Sequence, residues 1–313
     1  MKIFSCILFL VLLSVGFCGQ LYGLKSPIDL VSIDPKTAQT TIIGHVITHE
    51  AFGENLGCID QQNGIYYFMG TNLTDNKIDL VGLDVKTGNI KYEVRLPYAS
   101  EAFIGVSESM GVDASTGDVI TIGRDPAQGF QHHLLRVTPT TGNIQSLNVF
   151  NFIDFLGGAS VLGGNTFWVQ LAVNQSGQLR GRLMGYDIIT GNQVFEIDDE
   201  FFTGQLNWDP NKQVVYGLGL KAPTYKIRIV VQLNPENGLL TELFSIPSQY
   251  WACAPMTTID PDNTLLYYFI NDGKRNTPFT QLAVNYSTQL VTYSPTSCTN
   301  LAECVWDIEY DTN

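Results

Sequence analysis

Short apolar runs, each ended by Asp, Asn or Thr and followed by a polar turn, recur along the chain from Gln20 to the C-terminus. In one copy the run LVGLD, which begins at Leu80, is followed by the turn VKTGN and by a second strand-like run, IKYEV. Such runs are rich in β-branched and aromatic residues, which favour strands. Because Asp can bond to its own backbone and Gly accepts a positive φ, each copy predicts a tight β-hairpin.

The hairpin phrase occurs six times at a nearly constant spacing. The residue that ends its first strand, called the repeat marker below, stands at Asp34, Asp84, Thr138, Asp187, Asn234 and Asn285. Successive markers are 50, 54, 49, 47 and 51 residues apart. A steady repeat of this length predicts one supersecondary unit per period, and the stacked units share a core.

A second hairpin phrase alternates with the first, as in GCIDQQNGIYYFMG from Gly57, so each repeat holds four strands. Four antiparallel strands per repeat are typical of a propeller blade. The second phrase has only five complete copies, because the first repeat begins at Gln20 without its first strand. The C-terminal run VWDIEYD, from Val305, matches that missing strand. The sequence predicts an all-β, six-bladed β-propeller whose ring is closed by pairing of the C-terminal strand with the N-terminal blade, which leaves no open sheet edge.

On these repeats the chain resembles the β-propeller superfamily, over essentially all residues after the leader described next. The turn Asp-x-x-Thr-Gly, present at Asp84 and Asp187, is similar to that of quinoprotein-like propellers. The strands carry neither a Tyr-Trp-Thr-Asp nor a Trp-Asp blade signature. The resemblance therefore implies a fold and no specific family.

The N-terminal segment has the features of a secretory signal peptide. Lys2 precedes the apolar run Ile3–Phe17, and small residues stand at its end. We expect residues 1–18 to be this signal peptide and residues 19–313 to form a single propeller domain. The mature protein is then secreted and extracellular, and no later segment is long and apolar enough to predict a membrane span.

The formal net charge is -13, from 17 Lys and Arg against 30 Asp and Glu. Nucleic acids and anionic lipid surfaces are bound through clustered Lys and Arg, so this balance argues against both as partners. The remaining partners are an extracellular protein, a peptide or a glycan.

In a propeller, the connectors that join strand four of one blade to strand one of the next lie on one face, where loops on a rigid scaffold commonly bind ligands. Here these connectors are acidic and aromatic, which suits a cationic or a carbohydrate ligand. The same aromatic residues can instead wedge between blades and serve packing alone. The candidate ligand-binding residues are Glu50, Phe52, Glu101, Asp199, Trp251, Glu303 and Trp306.

Polar residues on the innermost strands form a second candidate site. Asp307, Glu309 and Asn207, together with Gln205, Thr258 and Ser109, alternate with apolar residues there and would bring oxygen atoms to the central channel. Oxygen donors of this kind are what calcium requires. The alternative is a water-filled polar channel without a metal.

The stretch Glu303-Cys304-Val305-Trp306-Asp307 resembles Glu-Gly-Pro-Val-Trp-Asp of calcium-dependent lactonases of the senescence-marker and gluconolactonase type, although one residue is missing and Cys replaces Gly-Pro. The resemblance implies a calcium-dependent hydrolase or lactonase with a channel metal, in which Glu303 would be a ligand. No catalytic motif accompanies it, since the sequence has no Gly-x-Ser-x-Gly, no His-Glu-x-x-His and no phosphate or dinucleotide loop. We expect the four histidines, at positions 45, 49, 132 and 133, to be exposed loop residues. An interaction module, a metal-dependent hydrolase and a purely structural extracellular protein all remain open.

Four cysteines follow the predicted signal peptide, at positions 58, 253, 298 and 304. The first choice for a disulfide is a short loop bridge between Cys298 and Cys304, and the second pairs Cys253 with Cys304. Cys58 falls in an innermost strand of a blade that is not adjacent to the blade of Cys253, too far for the Cα separation of about 4.4 to 6.8 Å that a disulfide needs. It is predicted to be a buried thiol.

Three glycosylation sequons stand at Asn72, Asn174 and Asn285. We predict glycans on Asn72 and Asn174, because both fall between the second and third strands of a blade, on polar loops. Peptide mass spectrometry of the protein secreted from eukaryotic cells checks this. Two unmodified asparagines would show that the loop placement or the secretory route is wrong.

Overall fold

The computed structural model describes residues 19–25, 28–51, 57–99, 110–125, 131–150, 155–175, 178–199, 203–220, 228–246, 251–271, 280–295 and 305–311. Within these ranges the chain forms β-strands and no helix. The strands are β1 (Gln20–Lys25), β2 (Asp29–Ile33), β3 (Thr40–His45), β4 (His49–Ala51), β5 (Gly57–Asp60), β6 (Ile65–Asn72), β7 (Lys77–Asp84), β8 (Ile90–Ala99), β9 (Met110–Asp113), β10 (Asp118–Asp125), β11 (Gln131–Thr138), β12 (Asn143–Phe150), β13 (Phe155–Gly163), β14 (Thr166–Gln175), β15 (Gln178–Asp187), β16 (Gln193–Asp199), β17 (Thr203–Asp209), β18 (Val214–Leu220), β19 (Arg228–Leu233), β20 (Leu240–Ile246), β21 (Trp251–Asp260), β22 (Leu265–Asn271), β23 (Thr280–Asn285), β24 (Val291–Pro295) and β25 (Val305–Asp311).

The strands form six antiparallel sheets, the blades, each with four positions from the inside of the ring outwards. Blade 1 has the order β25-β1-β2-β3. In blade 2 the innermost position is shared by β4 and β5, which pair with different parts of β6 and are followed outwards by β7 and β8. Blades 3, 4, 5 and 6 consist of β9–β12, β13–β16, β17–β20 and β21–β24. The predicted six four-stranded blades are confirmed.

The innermost strands contact one another in a closed ring. The order around the ring is β25, β5, β9, β13, β17, β21 and back to β25. Strand β25 pairs antiparallel with β1, from Gln20 opposite Asp311 to Lys25 opposite Val305. The C-terminal strand is therefore strand one of the N-terminal blade, and the predicted closure is confirmed.

The core lies between the blades, and neighbouring side chains on one strand pack against different blades. On β6, Tyr66 packs with Leu24 and Leu30 of blade 1. The next residue, Tyr67, packs with Met110 and Val119 of blade 3. Alternation of side chains across a strand produces this division. Both faces of the middle strands are thus buried, which explains why strands such as β6 and β7 are apolar at nearly every position.

The repeated turn is held by its marker residue. Oδ1 of Asp84 accepts hydrogen bonds from the backbone N–H of Lys86 and from both the backbone N–H and the hydroxyl of Thr87. Partial burial acts to raise the pKa of Asp84, but the hydrogen bonds from Thr87 and Lys86 outweigh it and lower this pKa. The chain then turns through Gly88, whose φ is +69°. The Asp-x-x-Thr-Gly phrase thus encodes the outer hairpin of the blade, as predicted.

The same glycine joins one blade to the preceding one. Gly88 of blade 2 lies against Gly44 on the outer strand of blade 1, and a Cβ placed on Gly44 would come 2.7 Å from Cα of Gly88. Blades 1 and 6 have Ala38 and Gln289 at the equivalent position, and both adopt a positive φ, of 57° and 62°. The turn requires this conformation even where the sequence does not supply glycine.

We therefore expect Gly88→Ala to destabilise the protein and Gln289→Gly, at an exposed position, to stabilise it. A left-handed non-glycine residue costs roughly 1–2 kcal/mol, and at Gly88 the clash with Gly44 adds to this cost. Glycine at position 289 removes that cost but increases the entropy of the unfolded chain, so the expected gain is only about 0.5–1 kcal/mol. Urea denaturation of the two variants measures both changes. A Gly88→Ala variant as stable as the wild type would show that the close contact of the two blades is wrong.

The antiparallel order of each blade divides the loops between two ends of the ring. The hairpins between strands one and two and between strands three and four lie at one end, called the turn face. The connectors from strand four to the next strand one, and the hairpins between strands two and three, lie at the other end, called the connector face. Within the described ranges, no helix exists that is both long and apolar enough to cross a membrane.

Candidate functional site

A network of polar side chains lies on blade 2, where its strands meet the connector face. His49 begins β4, Asn72 ends β6, and Asp79 and Arg95 lie on β7 and β8 near the same end of the sheet. Asp79 and Arg95 are directly opposite each other in the register of β7 and β8. The antiparallel order of the sheet thus brings together, at the connector-face end of its strands, residues that are up to 46 positions apart in sequence, from 49 to 95.

A glycine allows His49 to reach Asp79 across the intervening strand. Strand β6 lies between β4 and β7, and its residue opposite Asp79 is Gly70. A Cβ on Gly70 would lie 3.1 Å from Cβ of His49 and 3.0 Å from the ring of Phe68. With no side chain at this point, the imidazole lies over the strand and contacts the carboxylate beyond it.

Asp79 is the centre of the network. Its side chain is 1% exposed, and that of His49 is fully buried. Oδ1 of Asp79 accepts a hydrogen bond from Nε of Arg95 at 2.5 Å, while Oδ2 lies 3.1 Å from both Nε2 of His49 and Nδ2 of Asn72. Burial acts to raise the pKa of Asp79, but the hydrogen bonds from Arg95, Asn72 and His49 outweigh it and lower this pKa. Asp79 is therefore a buried carboxylate that is ionised at neutral pH.

The network continues to the surface on both sides. Nη1 of Arg95 donates to Oδ2 of Asp75 at 2.6 Å, and these two side chains are 39% and 40% exposed. The hydroxyl of Thr48, which is exposed, lies 2.9 Å from Nδ1 of His49. The buried carboxylate is thereby linked to solvent through one arginine and one histidine.

Blades 1 and 4 carry charged pairs at the same position of the repeat. Asp29 is opposite His45 on β2 and β3, and Arg182 is opposite Asp198 on β15 and β16. Each pair, like Asp79 with Arg95, is separated by 16 residues, starting five residues before the repeat marker. Sequence reasoning missed these pairs. The constant spacing relative to the marker was the available signal, but its use required the register of strands three and four.

The expectation that the histidines are exposed loop residues is wrong for three of the four. His49, His132 and His133 are buried, and His132 and His133 lie within β11. Nδ1 of His133 is 3.1 Å from the hydroxyl of Ser146 on the neighbouring strand. Only His45 is exposed, at the end of β3. Burial at this end of the strands depends on contacts with the neighbouring blade, since His49 is buried there and His45 is exposed, and the residue type alone does not reveal it.

The candidate ligand-binding residues lie at the connector face as far as the structure describes them. Glu50 is exposed on β4, next to the network. Asp199, Trp251 and Trp306 belong to β16, β21 and β25, but their side chains are outside the described part. Phe52, Glu101 and Glu303 lie outside the described residues altogether. Their role in binding stays a prediction.

The candidate metal residues lie on innermost strands. Asn207 is 6% exposed on β17, and Thr258 is buried on β21. Asp307 and Glu309 lie on β25, with Leu24 and Tyr22 of β1 opposite them, while their side chains are not described. The calcium site and the lactonase activity inferred from resemblance stay predictions.

Among the cysteines, Cys58 is buried on β5, as predicted, in the core cluster that also contains Tyr67. Cys298 and Cys304 lie outside the described residues, so their disulfide stays a prediction. Asn174 is near the end of β14, at the hairpin to β15.

The other two sequon asparagines make hydrogen bonds. Oδ1 of Asn72 accepts one from the backbone N–H of Thr74, in addition to the contact of its amide with Asp79. Asn285 is a repeat marker and caps its turn by accepting from the backbone of Ser287 and Thr288. Asn72 and Asn285 are thus half-buried structural residues as well as sequon residues.

Comparison with known proteins finds the fold but no family. No protein-family model matches the chain, and no curated protein matches it. The structure is similar to TolB from Acinetobacter baumannii, with a TM-score of 0.63 and 10% identity over 94% of this chain and 67% of that one. A chain of a nidogen/laminin complex has a TM-score of 0.63 and 11% identity, with 93% of this chain and 98% of that chain covered.

A third similar structure is the oligogalacturonate lyase from Vibrio parahaemolyticus, with a TM-score of 0.58 and 11% identity over 92% of this chain and 82% of that one. Identities of this size show a shared fold and no shared activity. The blade order, the closed ring of inner strands and these similarities lead to one conclusion. The chain is a six-bladed β-propeller.

Proposed function

We propose that this protein is a secreted interaction module that binds a cationic segment of an extracellular protein or peptide at its connector face. The observation that carries the proposal is the charge of the connectors. The six segments between strand four and the next of the strands β5, β9, β13, β17, β21 and β25 contain no Lys and no Arg; they are residues 46–56, which include the short strand β4, and residues 100–109, 151–154, 200–202, 247–250 and 296–304. Their acidic residues are Glu50, Glu54, Glu101, Glu108, Asp154, Glu200 and Glu303.

The topology supports a common location for these acids. Every connector begins and ends at the connector face, because strand four and strand one of consecutive blades meet there. Acids that are distant in sequence therefore belong to one end of the ring. The hairpins between strands two and three lie at the same end and add Asp75 and Asp272 but also Lys221, Lys226, Lys274 and Arg275, so the loops of this face have nine acids against four Lys and Arg and stay net acidic. Charges closer than the Debye length of about 8 Å reinforce one another and raise the rate at which an oppositely charged partner associates. The proposed ligand is cationic for this reason.

The scaffold supports binding rather than catalysis. Both faces of each blade are buried between neighbours, so the ring is a rigid frame for loops. Glu50 is exposed at the connector face beside the buried network, so a charged group there is available to a partner. Phe52, Trp251 and Trp306 would supply aromatic faces, which suit cations and also sugars. A carbohydrate is therefore the second ligand class to be compared.

The test is a double variant of two connector acids, Glu50→Gln with Glu101→Gln. The mature protein is screened on arrays of basic peptides and of glycans, and the affinity of the best ligand is then measured at two salt concentrations. We expect the double variant to bind a basic peptide at least about tenfold more weakly and with a smaller salt dependence, which corresponds to roughly 1.4 kcal/mol.

A matched control neutralises two exposed acids of the turn face, Glu236→Gln with Asp262→Asn. This control should bind like the wild type, and all variants should have nearly the same melting temperature. If wild type and connector variant bind with equal affinity, or if the control loses as much affinity as the connector variant, the connector acids do not form the binding site. If the tightest ligand comes from the glycan array, the protein binds a carbohydrate and the proposed cationic ligand is wrong. Calcium that is retained at one ion per chain after dialysis would favour the hydrolase hypothesis instead.

A further inference from the structure

We propose that His49, Asp79 and Glu93 form a zinc site on blade 2. This inference is independent of the proposed function and differs from the calcium site predicted in the channel. Ligand atoms of the three side chains all lie within 4.8 Å of one another. The first two residues are buried, whereas Glu93 on β8 is exposed, so that solvent reaches the third ligand.

The distance between the first two ligands fits a shared metal ion. Nε2 of His49 and Oδ2 of Asp79 are 3.1 Å apart. Two ligands that are each about 2.0–2.2 Å from one tetrahedral zinc ion are separated by roughly 3.4 Å. The buried pair therefore needs to move apart only slightly to bind one zinc ion. The exposed side chain of Glu93 can rotate to supply the third ligand.

Neighbouring residues make hydrogen bonds to the two buried ligands. In metal sites, hydrogen bonds of this kind hold the ligands in position. The hydroxyl of Thr48 lies 2.9 Å from Nδ1 of His49, the ring nitrogen that faces away from Asp79. When Nδ1–H donates to Thr48, the lone pair of Nε2 points at the metal position. Nε of Arg95 donates to Oδ1 of Asp79, the oxygen that the metal does not need. Such contacts fix the tautomer of a histidine ligand and the orientation of a carboxylate ligand.

The net negative charge of the cluster favours binding of a divalent cation. Three carboxylates, those of Asp75, Asp79 and Glu93, surround the single guanidinium of Arg95, which is shared between the first two. With a neutral imidazole these side chains sum to two negative charges. The hydrogen bond from Arg95 and the nearby Lys77 both lower the pKa of Asp75, and Lys77 offsets part of this sum. A divalent ion bound there would offset this charge.

The donor types select among metals. One imidazole nitrogen with two carboxylates suits zinc, whereas calcium takes oxygen ligands and six to eight of them. Three protein ligands also leave one coordination position of a tetrahedral ion open to water. The site is thus expected to prefer Zn²⁺ strongly over Ca²⁺.

The mature protein is first freed of metal with a chelator, and Zn²⁺ binding is then measured by isothermal titration calorimetry and by metal analysis after dialysis. We expect one Zn²⁺ per chain, and absorption bands typical of nitrogen and oxygen ligands when Co²⁺ replaces it. Glu93→Gln should weaken binding at least about tenfold, and Thr48→Val by roughly 10–100-fold, the range for losing an outer contact.

The control is Glu196→Gln. Glu196 stands nine residues after the marker of blade 4, as Glu93 does in blade 2, and it pairs with Arg182 instead of joining a histidine. This variant should bind Zn²⁺ like the wild type. Absence of stoichiometric Zn²⁺, or binding that Glu93→Gln and Thr48→Val leave unchanged in proteins with wild-type melting curves, would overturn the proposal.

Discussion

A protein that lacks residues 305–313 is expected to lose its folded ring. Strand β25 pairs with β1 along its whole length and contacts the innermost strands β5 and β21 of the two adjacent blades. Its removal leaves blade 1 with three strands and exposes the edge of β1, which is then free to pair with another chain. The loss is on the order of the whole stability of a domain, about 5–15 kcal/mol.

Circular dichroism melting and size-exclusion chromatography measure this effect. The expected result is a protein that aggregates or melts without a cooperative transition. Deletion of Thr312 and Asn313 alone is the control, because both follow β25. This shorter deletion should leave the melting curve unchanged. A cooperative transition at the wild-type temperature in the longer deletion would contradict the closure of the ring.

Asp79→Ala is expected to have the largest effect of any single substitution in the polar network. The side chain of Asp79 is 1% exposed and accepts hydrogen bonds from Arg95, Asn72 and His49. Its removal leaves buried donors without an acceptor. Because Arg95 is 39% exposed and keeps Asp75, the expected cost is about 1–3 kcal/mol, the cost of leaving buried polar groups without a partner, and is below that of breaking a fully buried ion pair.

The matched control is Asp75→Ala, which removes the other carboxylate that Arg95 contacts. That pair is exposed on both sides, so its loss should cost at most about 1 kcal/mol. Urea denaturation of the two variants gives the difference. Equal effects of the two substitutions would show that Asp79 is not buried between blades 1 and 2.

The fold was predictable from the sequence because each turn is specified by residues that are close together in the sequence. Asp84 with Gly88 specifies a hairpin within five residues, and the recurrence of that phrase determines the number of blades. The closing strand was predictable for a similar reason, since Val305–Asp311 repeats the phrase that the first repeat lacks. Both predictions follow from the recurrence of short sequence phrases, without knowledge of the register between strands.

The polar network was not predictable, because it depends on register and on contacts across strands. His49 reaches Asp79 only because Gly70 lies between them, and no pattern within one strand shows this. Buried histidines such as His132 have the same origin, since burial at a strand end depends on the neighbouring blade. The connectors differ in length and composition from blade to blade, so the repeat that predicts the fold carries no information about their ligand.

Hydrogen exchange tests the central claim most directly, namely that β1 and β25 belong to one blade. Strand β1 has a partner on each side, β25 and β2, whereas the outer strand β3 pairs only with β2. We expect the backbone amides of Leu21–Lys25 to exchange as slowly as those of β7, which also has two partners, and more slowly than those of β3. Exchange in β1 that is as fast as in β3 would contradict the closed ring.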